Sequence, residues 1–105
     1  MRVVFLNLNK NLTMLTDFYE FTMANGYYQK GVGDTVAYFD MFYRNVPDNA
    51  GYAIMAGVEQ LVDYLRNLHF RPEDIAYLKS KGCFCQEFLD YLADFQFSCD
   101  VWCVE

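Results

Sequence analysis

The chain has 105 residues, 54% of them hydrophobic and 19% aromatic, with a formal net charge of -6. That length holds one small domain with a single core, and the acidic balance excludes a nucleic-acid backbone or an anionic membrane as the main partner. Ten Phe and nine Tyr exceed what so small a domain buries easily, so a sticky surface lacking a partner, or lacking more chain, is expected.

Residues 1–11 read as a short polar lead-in with one strand. Met1-Arg2-Val3-Val4-Phe5-Leu6 resembles a signal peptide only faintly, because Asn7 and Asn9 cut the apolar run and no small-residue cleavage site follows. Nothing reaches the ~18 uninterrupted apolar residues of a membrane span, and the chain reads as cytoplasmic. Asp17 to about Tyr28 is a predicted helix, with Phe18, Phe21, Thr22, Asn25 and Tyr28 on one side and Gly31 and Gly33 closing it. Asp17 suits the N-cap, and Glu20 three residues later completes a capping box.

Thr35 to Tyr43, apolar on both faces except at Asp40, reads as a central strand. Asn45 to Gly51 is a turn. Tyr52 to Ala56 is a short strand or the run-in to a helix. Val58, Leu61, Val62, Leu65 and Leu68 recur at helical spacing and predict an amphipathic helix over Gly57 to Asn67. Pro72, Glu73 and Asp74 open a helix that runs to Lys81, and another covers Cys85 to Asp94. From Phe97 the pattern alternates: Phe97, Cys99, Val101 and Cys103 against Ser98, Asp100 and Trp102. That strand runs into the last residue, Glu105, without its backbone partners, which predicts a truncated domain.

Chemistry alone offers no Gly-rich phosphate loop, no Ser/His/Asp arrangement and no paired carboxylates at a recognisable spacing. Cys83, Cys85, Cys99 and Cys103 do not match the paired C-x2-C spacing of zinc sites and read as small, partly buried apolar residues in a reducing compartment. His69, the single histidine, ends a predicted helix, where an imidazolium meets the helix dipole; an acid/base role needs a positioned partner. Tyr19, by composition, is ordinary packing. Arg44 at a strand end suits either solvation or bidentate phosphate recognition.

Thr16-Asp17-Phe18-Tyr19-Glu20-Phe21-Thr22-Met23 resembles the N-terminal signature of the nicotinate phosphoribosyltransferase family. Phe42-Tyr43-Arg44-Asn45-Val46-Pro47 followed by Gly51-Tyr52-Ala53-Ile54-Met55-Ala56-Gly57-Val58 looks like a second block of that family, although Asn45 and Asp48-Asn49-Ala50 stand where the family often has another arginine and a Gly-rich stretch. Glu73 to Leu78, Glu87 to Leu92 and the final Val101 to Glu105 are similar to later blocks, so the resemblance covers about Leu12 to Glu105.

The resemblance implies an α+β fold: the N-terminal domain of a type II phosphoribosyltransferase, with helices packed on a small mixed or antiparallel sheet and the barrel domain absent. It implies that Tyr19 stacks on the pyridine ring of nicotinate, that Asp17 lines the same pocket, and that Arg44 meets 5-phosphoribosyl 1-diphosphate. It further implies Mg2+ and ATP as cofactors held outside this chain, and a homodimer in which Tyr19 acts in the neighbouring subunit. Neither catalytic nor metal-binding residues are expected within residues 1–105. Two other readings remain open: a non-catalytic fragment that acts by association, and a nicotinamide-specific relative.

Overall fold

The computed structural model of the chain describes residues 11–104; the lead-in strand expected at 1–11 lies outside them, apart from Asn11. Four helices carry the regular structure: α1 (Phe18–Gln29), α2 (Val58–Arg66), α3 (Pro72–Ser80) and α4 (Gln86–Ala93). Each lies within a few residues of its sequence expectation, and Gly31 and Gly82, both at positive φ, follow the ends of α1 and α3.

The end of α1 shows the stop at work. Gly31 takes a φ of 70°, the left-handed region that glycine enters without penalty. Its N–H then donates to the Tyr28 carbonyl and the Val32 N–H to the Tyr27 carbonyl, each at 3.1 Å. This is the Schellman pattern that satisfies the last carbonyls of a helix.

Helices α1, α3 and α4 share one small core of Phe21, Leu78, Phe88, Leu89 and Leu92. Met14, Phe70, Ile75 and Phe84 pack around it. Edge-to-face ring pairs extend it, with Phe18 5.8 Å from Phe84 and Phe21 6.1 Å from Phe70. Such pairs add ~0.5–1.5 kcal/mol beyond area burial. Helix α2 stands apart: none of its residues is fully buried. Its Val62, Leu65 and Arg66 line an open apolar groove with Phe97, Cys99 and Val101.

The expectation of helices packed on a small sheet is corrected. Among the described residues there is no strand. Residues 35–43 and 97–104 carry no regular structure, and Tyr38 and Phe39 are 96% and 91% exposed. The physical reason is that alternation specifies an extended backbone but does not supply the neighbour whose N–H and C=O groups make a ladder. Tyr52 to Ala56 likewise forms no strand. The turn after Arg44 is real, with Pro47–Asn49 in a single 3-10 turn and Asp48 at a φ of 55°.

The cysteine expectation holds only for Cys85, which is half-buried beside the core; Cys83, Cys99 and Cys103 are exposed, and all four are free thiols. Among the described residues no helix is long and apolar enough to cross a membrane.

Candidate functional site

The start of α1 places Asp17 and Tyr19, two residues apart, on exposed surface. Asp17 is the N-cap residue, with the extended φ of -73° and ψ of 142° that the position requires. Its carboxylate makes no capping hydrogen bond. The Glu20 N–H donates instead to the Asp17 carbonyl at 3.1 Å. The capping box expected from Asp17 and Glu20 is therefore not formed, and both carboxylates stay available at the rim of a shallow depression lined by Leu15, Thr16, Asp17 and Glu20.

A box-like cap forms at α3 instead. There Asp74 Oδ2 accepts from the Arg71 main-chain N–H at 2.9 Å. The other arm is main chain only: the Asp74 N–H donates to the Arg71 carbonyl at 2.9 Å, since a guanidinium accepts no hydrogen bond.

Tyr19 is 58% exposed, and its ring has no partner among the described residues. With Met23 and Tyr27 it forms an i, i+4, i+8 stripe on the side of α1 away from the buried Phe21 and Asn25. Helix α1 is thus apolar on two opposite sides. One is covered by the core and the other is bare.

The covered side is fixed by a polar contact as well as by packing. Asn25 Oδ1, on a buried side chain, accepts the Cys85 N–H at 3.1 Å. Cys85 caps α4, so one side chain on α1 satisfies the first donor of the neighbouring helix. This fixes the rotation of α1 and hence the direction in which Tyr19 projects.

Arg44 is exposed on the irregular stretch after α1 and makes no hydrogen bond or ion pair among the described residues. Asp17 and Tyr19 lie two residues apart at the start of α1, but Tyr19 does not line the depression beside Asp17, and no hydrogen bond or ion pair among the described residues joins Arg44 to either. His69 is committed elsewhere. Its Nδ1 lies 2.7 Å from the Asn67 carbonyl, which can only accept, so Nδ1 carries the proton. Among the described residues no three His, Cys, Asp or Glu gather in a way that would hold a metal ion.

Two residues with structural consequence for this surface escape the sequence reading, Asn11 and Thr13; that reading places Asn25 on the packed side of the helix, but without its bond to Cys85. Asn11 and Thr13 carry a turn signal, since an Asn side chain readily bonds the N–H two residues on. Their partner is His69, 58 and 56 residues away respectively, and no local pattern points to it.

A family model described as the nicotinate phosphoribosyltransferase (NAPRTase) N-terminal domain matches residues 14–105. A nicotinate phosphoribosyltransferase of Mycobacterium tuberculosis is 38% identical over 89 residues, covering 85% of this chain and 19% of that protein. The Bacillus subtilis nicotinate phosphoribosyltransferase is 34% identical over 79 residues, 75% of this chain and 16% of its own length. The human one is 37% identical over 67 residues, 64% of this chain and 12% of its own. The chain therefore spans about a fifth or less of the length of these relatives.

Proposed function

The chain belongs to the nicotinate phosphoribosyltransferase family, over the N-terminal domain of those enzymes, and on that premise we propose that the intact protein forms nicotinate mononucleotide in NAD salvage. The pyridine nitrogen of nicotinate attacks the anomeric carbon of 5-phosphoribosyl 1-diphosphate. The new bond is C–N, the broken one is C–O, and pyrophosphate leaves with its electron pair. Positioning carries much of such a reaction, because the ring must be held in line with a carbon that is losing its leaving group.

The observation that supports this reading is Tyr19: a large, exposed ring without a partner, beside an unpaired Asp17, on a helix whose opposite side is locked into the core. Tyr19 supplies the stacking face for the pyridine. Asp17 lines the same pocket. Since Asp17 and Glu20 make this rim acidic, the carboxylate of nicotinate is met by cationic groups outside this chain. Arg44 serves the phosphoribosyl diphosphate from the exposed, irregular stretch after α1. The bare stripe of Tyr19, Met23 and Tyr27 suits a second subunit, into whose active site Tyr19 then projects. The magnesium and ATP implied by the resemblance are expected to be held outside this chain and enter no step here. The same residues suit a soluble, cytoplasmic enzyme, and the 105-residue chain by itself is inactive.

The test is an assay of the protein extended through its gene past Glu105. Tyr19→Ala should raise the KM for nicotinate about 2- to 12-fold, the factor carried by one stacked ring. Its melting temperature should barely move, because truncating an exposed side chain is usually worth less than about 0.5 kcal/mol. Equal losses in activity and stability would remove the stacking role. Preference for nicotinamide over nicotinate would assign the chain to the other substrate, and a stop codon after Glu105 would leave association as its function.

A further inference from the structure

We infer that Thr13 is a positioning residue: together with Asn11 it grips the main chain of His69 and so holds the strap that presents Asp17 and Tyr19. This rests on the reading of Tyr19 as the ring-stacking residue.

The grip is built from both backbone groups of one residue. The His69 N–H donates to Thr13 Oγ1 at 3.3 Å, and the His69 carbonyl accepts from Asn11 Nδ2 at 2.9 Å. The two gripping side chains are locked to each other. Asn11 Oδ1 accepts from the Thr13 N–H at 3.0 Å and from the Thr13 hydroxyl. That double acceptance fixes which end of the Asn11 amide is oxygen, so its amino group must point at His69. The imidazole adds only the longest contact, 3.4 Å from Nε2 to Asn11 Nδ2. With Nδ1 protonated, Nε2 is the acceptor, and the set is consistent throughout.

Location gives the grip its consequence. Thr13 is buried, and the residue after it, Met14, packs on the core, as does Phe70 after His69. Between Met14 and α1 lie only Leu15, Thr16 and Asp17, held by short turns: the Leu15 N–H to the Leu12 carbonyl at 2.9 Å and the Thr16 N–H to the Met14 carbonyl at 3.0 Å. Asn25 fixes α1 two turns further along. The Thr13 grip fixes the end that carries the exposed residues. A ring-stacking group needs such support, since a misplacement of about 1 Å is costly in catalysis.

The Leu15, Thr16 and Glu20 amides report on the strap by hydrogen exchange in the 105-residue chain. Thr13→Val, which keeps the shape and removes the hydroxyl, should speed their exchange about 5- to 30-fold, the factor for one to two net hydrogen bonds. The Leu89 amide in α4 should be unchanged. Thr13→Ser should restore the wild-type rates. His69→Ala should leave them nearly unaltered, because the grip is on its main chain. Acceleration of Leu89 together with the strap, or no acceleration anywhere, overturns the inference. Should Thr13→Val fail to fold, Asn11→Ala takes its place with the same expectation.

In the extended enzyme, Thr13→Val should raise the KM for nicotinate with little change in kcat. If Tyr19→Ala alters that KM and Thr13→Val does not, the positioning role fails while the stacking reading stands. If neither alters it, the stacking reading fails, and the exchange rates still decide whether Thr13 holds the strap.

Discussion

Three polar side chains are buried among the described residues, Thr13, Asn25 and Asp74, and each has a partner. Asp74 is the charged one, its side chain 7% exposed. Hydrogen bonds from the Arg71 guanidinium, at 3.1 Å to Nε and 3.0 Å to Nη2, hold its carboxyl below the usual carboxylate range against the opposing pull of burial. A folded-state pKa below the unfolded one stabilises the fold wherever the carboxylate is ionised in both states. That contribution is present above about pH 4 and is lost as pH falls through the folded value. Asp74→Asn should therefore lower stability by about 1–2 kcal/mol near neutrality. In urea melts the gap between variant and wild type should close at pH values well below the carboxylate range; a gap that persists there would assign the loss to packing. The sequence places acids in the first turns of α1 and α3 alike. Only at α3 does a neighbouring arginine turn one into a cap, which requires the side-chain geometry as well as the spacing.

Among elements, helices were legible in the sequence and strands were not. Apolar spacing together with Asp17, Gly31, Pro72 and Gly82 marks where helices start and stop, and those signals act locally. The alternation of Phe97, Cys99, Val101 and Cys103 is equally clear, yet a strand also needs a neighbour, and none lies beside it among the described residues. The motif puts Asp17 and Tyr19 at the start of α1, where the structure has them, whereas Arg44 lies on a stretch that no helix orders. The helices differ in what they contribute to stability. Phe88 on α4 is almost fully buried and touches the rings of Tyr28 and Phe84, so Phe88→Ala should cost about 3–5 kcal/mol, enough to abolish the cooperative thermal transition of so small a core. Val62→Ala on α2, which buries nothing completely, should leave that transition in place. A similar loss from both would mean that α2 belongs to the same cooperative unit.

The whole molecule exposes far more surface than its mass requires. The accessible surface is 9558 Å² for 12.3 kDa, against about 6,100 Å² for a compact monomer of that mass. The Cα radius of gyration is 16.6 Å, against about 13 Å for a compact domain of this length. Much of the excess is apolar, including Tyr38, Phe39, Met41 and Trp102. Surface of this kind marks an interaction face or an aggregation hazard. The isolated chain should therefore associate: sedimentation velocity should show mass rising with concentration, and a dye such as ANS should fluoresce on it. A sharp monomer with no dye binding would refute that reading.

The separation between α1 and the helices it packs against also bears on how the fold opens. Five residues, 81–85, join α3 to α4, whereas residues 30–71 separate α1 from α3. Closing the longer loop costs about 2 kcal/mol more in chain entropy, taking loop entropy to grow as the logarithm of length. Release of α1 thus regains the most conformational freedom, and α1 meets α4 less extensively than α3 does. The helix that carries Asp17 and Tyr19 is the detachable one, and the α3–α4 hairpin can persist without it.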